Sequence, residues 1–197
     1  MMLYIFDMGG VLARDFDIAP DASRLLGLSE PAFRKFAAFD MDALMAGTMS
    51  AGDWWDRFAR RSGVRPALDL WSTLFAPTVD ATVERVIVNL GKRGRVVCGT
   101  NTIASHYEWL IAAGRYSAFD AVYASHLMGV CKPDPAFWRS ILEAEGVRAG
   151  DAFFVDDMAE NVEAAQGIGI SSHLFTDVSA LRSALESTFP GEARLEA

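Results

Sequence analysis

Short apolar runs recur along this chain, each ending at a polar residue, with stretches of helical periodicity between them. Leu3 to Phe6 (LYIF), Arg95 to Cys98 (RVVC), Ala121 to Ala124 (AVYA) and Ala152 to Val155 (AFFV) are largely continuous rather than alternating. That is the pattern of strands in a parallel sheet covered on both faces. His173 to Phe175 is a weaker fifth. Between the runs lie helix signals: Asp80 ahead of a periodic stretch to Gly91, Asp134-Pro135 as cap and first helical residue, and a helix beginning just after Asp157 and running to the Gly167/Gly169 pair. Strands alternating with helices predict a doubly wound α/β fold.

Asp15 to Pro77 breaks this rhythm. It shows no strand pattern. Leu25-Leu26, Phe33/Phe36/Phe39 and Trp54/Trp55/Phe58 fall at helical spacings, and Ser29 before Pro31 and Ser50 before Asp53 mark helix starts. The segment reads as a small helical subdomain inserted after the first strand, with its aromatic residues as core.

Composition narrows the field. With 18 Lys plus Arg against 26 Asp plus Glu, the chain of 197 residues carries a net charge of −8 and no basic block, which argues against nucleic-acid or anionic-membrane binding. No apolar run is long enough to span a bilayer. The run from Leu3 stops at Asp7, leaving no signal-peptide pattern, and the two cysteines, Cys98 and Cys131, are far apart and read as free thiols; a cytoplasmic protein is expected. Oligomeric state leaves no mark in the sequence, and a monomer is compatible with it.

The chemistry lies where the runs end. Asp7 follows the first, Thr100-Asn101 the second, Lys132 lies in the loop after the third, and Asp156-Asp157 follows the fourth. In a parallel sheet the carboxyl ends of the strands share one edge, so these groups converge on a crevice. Each alone is an ordinary turn or cap residue. Together, three carboxylates repel one another unless a cation relieves them; Asp7, Asp157 and a backbone carbonyl would suit Mg²⁺. A phosphate could then enter, with Lys132 balancing charge, Thr100 and Asn101 hydrogen-bonding its oxygens, and Asp7 as nucleophile.

Phe6-Asp7-Met8-Gly9-Gly10-Val11-Leu12, Gly99-Thr100-Asn101-Thr102, Lys132-Pro133-Asp134-Pro135 and Asp156-Asp157 with Asn161 resemble, in order, the four motifs of the haloacid dehalogenase (HAD) superfamily. The resemblance implies a Rossmann-like core with a parallel sheet (1–14 and 78–197) and an all-helical C1 cap (15–77). The stretch between Thr100 and Lys132 is too short for a second cap of ~100 residues. It implies a Mg²⁺-dependent phosphatase acting on a small phosphorylated metabolite, with small bacterial sugar-phosphate phosphatases the most similar type. By that resemblance Asp7 is the nucleophile, Thr100 and Asn101 bind substrate, and Lys132 orients and neutralises. Asp7, the Gly9 carbonyl and Asp157 hold Mg²⁺, supported by Asp156 and Asn161. One position departs: where most phosphatases of the superfamily carry a second Asp, this chain has Gly9, which can neither protonate the leaving oxygen nor activate water.

Other readings stay open on the sequence. Gly9 also suits a catalytically weak relative that binds a phosphometabolite or a protein partner. It suits a metal-free haloacid dehalogenase too, although that enzyme has no need of the Asp156-Asp157 pair. Chain order argues strongly against a receiver domain, whose acidic pair stands on the first strand. His106 and Arg14 lie near enough to touch a substrate, though a structural His and a surface Arg are the simpler readings.

Overall fold

The four apolar runs form strands β1 (Leu3–Phe6), β4 (Arg95–Thr100), β5 (Ala121–Ala124) and β6 (Ala152–Asp156), joined by β7 (Ser171–Leu174) at the edge. They pair as one parallel sheet in the order β5-β4-β1-β6-β7. The structure, a computed structural model, describes residues 2–189.

Side chains alternate across the sheet even where the sequence does not. Leu3, Ile5, Val97 and Phe154 join Phe137, Trp138 and Ile141 on one face; Tyr4, Phe6, Val96, Cys98 and Phe153 join Val83, Val86 and Leu181 on the other. Both faces are covered, which is why the runs are apolar throughout. Each fully buried large side chain contributes about 1.5–3 kcal/mol. The covering helices are α6 (Ala81–Gly91), α7 (Ala104–Ala112), α9 (Pro135–Glu145), α10 (Ala159–Gly167) and α11 (Val178–Thr188), with a single turn, α8 (Ser125–Met128), after β5. Asp80 caps α6 through the Thr82 and Val83 amides, and Asp134 caps α9 through Ala136.

Between the first two motifs lie α1 (Ala19–Leu25), α2 (Glu30–Ala37), α3 (Met41–Met45), α4 (Ala51–Ser62) and α5 (Leu70–Thr73). Ser29 and Ser50 accept from the amides three residues on, as their spacing predicts. Trp54, Trp55, Phe58, Trp71 and Phe33 are buried, and their cluster runs without a break into the face of the sheet that holds Phe6 and Cys98. The insert is tied to the sheet by two antiparallel linkers, β2 (Ala13–Arg14) and β3 (Thr78–Val79).

Three expectations shift. The fifth strand begins at Ser171, two residues before the apolar run, because pairing with Phe153–Asp156 sets its register and an edge strand tolerates polar residues. β5 is also an edge strand and only half buried. In the insert, Phe39 lies past the end of α2 and is half exposed, packed beneath the Arg61 guanidinium, while Leu25 is exposed. Both cysteines are free.

Candidate active site

The register of the central strands builds the site. Phe6 lies opposite Cys98 on one side and Val155 on the other, so the next positions, Asp7, Gly99 and Asp156, stand side by side at the carboxyl edge of the sheet. The Asp7 amide donates to the Val155 carbonyl at 2.9 Å, holding the chain in line one residue past the strand. Asp7, Thr100, Lys132, Asp156 and Asn161 are all buried polar residues.

Lys132 is the hub. Its Nζ donates to Asp7 Oδ1 at 2.9 Å, Asp156 Oδ2 at 2.7 Å and the Gly99 carbonyl at 2.9 Å, which uses all three ammonium protons. Burial works against its charge, but Asp7 and Asp156 outweigh burial and hold its pKa above the usual lysine value. Asn101 places it: the Lys132 amide donates to Asn101 Oδ1, and Asn101 Nδ2 donates to the Lys132 carbonyl, both at 2.8 Å. Asn101 thus spends its amide on the lysine loop. The Thr100 hydroxyl reaches the Asn101 carbonyl only at 3.5 Å, a long contact that leaves it available to a ligand.

Asp156 is fully enclosed. Its Oδ1 accepts from the Met158 amide at 2.8 Å and from Asn161 Nδ2 at 3.0 Å, and Lys132 takes the other oxygen. Its neighbour Asp157 is exposed to the cleft, its carboxyl pushed upward first by partial burial and then by the Asp156 charge. Asp7 is raised to about 6: burial raises it most, Lys132 lowers it, and Asp156 raises it again.

Oxygens of Asp7, Asp156 and Asp157 lie within 4.8 Å of one another. Three carboxylates thus face one ammonium, a surplus of negative charge that an added cation would relieve. The donors are all hard oxygens, and with Asp156 already saturated, Asp7 and Asp157 are the carboxylates left to bind. This set fits a hard divalent cation such as Mg²⁺. Asn161, whose Nδ2 is bonded to Asp156, lines the same cleft and has a buried Oδ1 with no partner.

The turn after Asp7 makes the room. Gly10 has φ of +73°, and a Cβ there would stand 1.9 Å from Asp157 Oδ2, so only glycine admits that carboxylate. Sequence reasoning assigned Gly10 no role; the Gly-Gly pair was the available signal. At Gly9 the space is differently occupied: a Cβ would meet three carbons of the Phe16 ring at 3.5–3.7 Å. Nothing in the local sequence marks Phe16, which returns to the site from the start of the insert.

Lys132 follows β5 by way of α8 rather than by a plain loop, and that turn carries Ser125, whose hydroxyl accepts the Thr102 amide at 2.9 Å. Arg14 is structural: it donates to the Gly10 carbonyl, pairs with Asp80 at 3.9 Å and covers the Phe175 ring. His106 stacks on Phe75 at 3.8 Å, and burial pulls its imidazole down to about 4.

The family model of the haloacid dehalogenase-like hydrolases matches residues 1–169. A sesquiterpene phosphatase of Aspergillus oryzae is 40% identical over 72 residues, 36% of this chain and 33% of that protein. A phosphatase of Mycobacterium tuberculosis is 32% identical over 84 residues, 43% of this chain and 39% of that protein. The matches therefore span well under half the length of these curated relatives. A HAD family enzyme of Bacteroides thetaiotaomicron, solved with magnesium and inorganic phosphate, superposes with a TM-score of 0.76 at 21% identity, covering 92% of this chain and 98% of that one. An L-2-haloacid dehalogenase of Xanthobacter autotrophicus superposes with 0.64 at 19% identity, covering 95% and 83%. At such identities these superpositions establish the fold.

Proposed function

Because the chain belongs to the haloacid dehalogenase-like hydrolases, we propose that it is a Mg²⁺-dependent phosphatase of a small phosphorylated metabolite, working through an aspartyl phosphate on Asp7. The observation that carries this reading is Asp7 itself, a buried carboxylate tied through one oxygen to Lys132 and standing 4.8 Å or less from Asp156 and Asp157. The phosphatases among its relatives and the magnesium and phosphate in its structural neighbour support it.

Asp7, Asp157 and the Gly9 carbonyl would hold Mg²⁺, which supplies charge neutralisation for the entering phosphate dianion. Lys132 keeps Asp7 ionised and aimed. Thr100 offers its hydroxyl to a phosphoryl oxygen. Asn101, Asp156 and Asn161 hold Lys132 and the acidic loop in place. Asp7 attacks phosphorus as the bond from phosphorus to the leaving oxygen breaks, and the departing alkoxide takes a proton from water. A water oxygen then attacks the same phosphorus, the bond to Asp7 breaks, and inorganic phosphate leaves. With Gly9 no side chain at that position carries either proton.

In this reading residues 1–14 and 78–197 are the catalytic core and 15–77 the cap; Met1 and residues 190–197 lie outside the described part. A cytoplasmic location accompanies it, which the two free thiols favour. Sugar phosphates belong to the substrate class implied by the resemblance. Among the described residues no helix is long and apolar enough to cross a membrane.

Phosphate release from a panel of aryl, sugar, alkyl and acyl phosphates tests the reading. Turnover is expected with Mg²⁺, loss on chelation, and loss by at least 10³-fold in Asp7→Asn with the fold intact, since an amide cannot attack phosphorus. Undiminished turnover in verified Asp7→Asn would remove Asp7 from the nucleophile's role, and full activity after chelation would remove the metal.

A further inference from the structure

Two hollows meet at Gly9. The larger, a cleft of about 410 Å³, holds Asp7, Lys132 and Asp157 and carries Asp42 and Glu160 on its lining. The smaller, about 80 Å³, lies beside it, and Gly9, Phe16 and Asn101 line both. At about 30 Å³ for each water, the smaller hollow takes roughly three water-sized groups. Its lining combines polar residues, Thr100, Asn101 and Thr102, with apolar ones, Phe16, Phe75 and Leu110 among them. No Asp, Glu, Lys or Arg lines it.

The chemistry of these walls is selective. A polyol pushed into the smaller hollow would lose water from each hydroxyl and find few partners, and every unpartnered hydroxyl is costly. The exceptions are the Thr100 hydroxyl, which the phosphoryl group claims in the reading above, and the His106 imidazole, which is stacked flat on Phe75 and keeps a buried Nε2 with no partner. A carboxylate or second phosphate would fare badly on the other side. Asp42, Glu160 and Asp157 face the cleft, and its one lining cation, Lys132, is already spent on Asp7, Asp156 and the Gly99 carbonyl. Phe16 stands at the junction, its ring at van der Waals distance, 3.5–3.7 Å, from where a Cβ at position 9 would lie.

We infer that the leaving group of the substrate is an uncharged, mostly apolar alcohol, seated against Phe16 in the hollow beside the nucleophile. This rests on the phosphatase reading above and narrows it away from sugars. It makes Phe16 a specificity-determining residue supplied by the first residues of the insert.

The test compares 3-methylbutyl phosphate with glycerol 1-phosphate, whose alcohols have equal numbers of non-hydrogen atoms. Glycerol is the better leaving group, so leaving-group chemistry favours the wrong substrate for the inference. Each methylene buried is worth roughly a factor of four, so kcat/KM for the methylbutyl ester should exceed that for the glycerol ester by at least about tenfold. Parity, or preference for glycerol, overturns the inference. Phe16→Ala should bring the ratio near one, chiefly by raising KM for the methylbutyl ester, while Phe16→Leu should keep most of the preference. A ratio unmoved by Phe16→Ala also overturns it. Calorimetric binding of 3-methylbutylphosphonate against the dihydroxypropyl phosphonate makes the same comparison without turnover, and tighter binding of the methylbutyl compound is expected. If no ester on the panel is hydrolysed, the phosphatase reading fails, and the phosphonate pair alone decides whether the hollow selects an apolar group.

Discussion

At the scale of single residues, the site depends on two adjacent glycines used in opposite ways. Gly9 lies beneath the Phe16 ring with room for a Cβ at contact distance, whereas Gly10 lacks a side chain where the Asp157 carboxylate stands. Gly10→Ala would force a left-handed backbone on alanine, costing about 1–2 kcal/mol, and would displace Asp157. The expected outcome is a modest fall in melting temperature and a much larger effect on function: the Mg²⁺ concentration for half-maximal activity should rise at least tenfold. A titration of activity with Mg²⁺ checks this, and an unchanged midpoint would mean that Asp157 does not hold the metal. The Gly-Gly pair was legible in the sequence as part of a motif. Its two distinct uses were not, because each is defined by a residue remote in the chain.

At the scale of elements, the insert is held to the core by the acidic side chain of Asp69 as well as by apolar packing. Asp69 caps α5 through the Trp71 amide, accepts the Trp55 indole N–H at 2.8 Å, and accepts the Ser105 hydroxyl of α7 at 2.8 Å. Gly47 approaches the His126 backbone so closely that a Cβ would lie 2.0 Å from its carbonyl oxygen, and Ser125 donates to the Met45 carbonyl at 2.7 Å. Asp69→Ala removes a cap and strands an indole N–H and a hydroxyl. A loss of about 2–3 kcal/mol is expected, read as a lower urea midpoint with an unchanged slope, together with a raised KM as α5 loosens over α7. The helix starts at Ser29 and Ser50 could be read from sequence because capping is local. The role of Asp69 could not, since two of its three partners lie more than a dozen residues away.

For the whole molecule, the insert and the sheet share one hydrophobic cluster, and His106 sits where they join, between Trp71 and Phe75 of the insert and α7 of the core. Burial keeps this imidazole neutral and lowers its pKa to about 4, against about 6.5 in the unfolded chain. The unfolded state therefore binds the extra proton more readily. The stability this withholds from unfolding is fully present above pH 6.5 and is lost as the pH falls toward 4. The contribution is on the order of 3 kcal/mol. Urea unfolding at pH 7.5 and pH 5 should show the wild-type protein losing more stability than His106→Phe; equal losses would mean that the imidazole is not held neutral. Loosening at this junction is expected to open the insert before the sheet melts.

The order of the motifs along the chain and the apolar runs ahead of them determined the sheet, the direction of its strands and the edge where the polar groups gather. Those features follow from short-range patterning, because short apolar runs alternating with helical stretches suit a parallel sheet covered by helices, and parallel strands of one sheet end on the same side. The convergence of Asp7, Lys132 and Asp156 was readable for that reason. Tertiary structure alone decided which contacts those groups make. It spends Asn101 on the backbone of Lys132, saturates Asp156 and leaves Asp157 facing the cleft. It also brings Phe16 back over Gly9 and opens an apolar hollow beside the nucleophile. These depend on where a linker returns and how an insert packs, distances set by the summed burial of many side chains rather than by any local run of sequence.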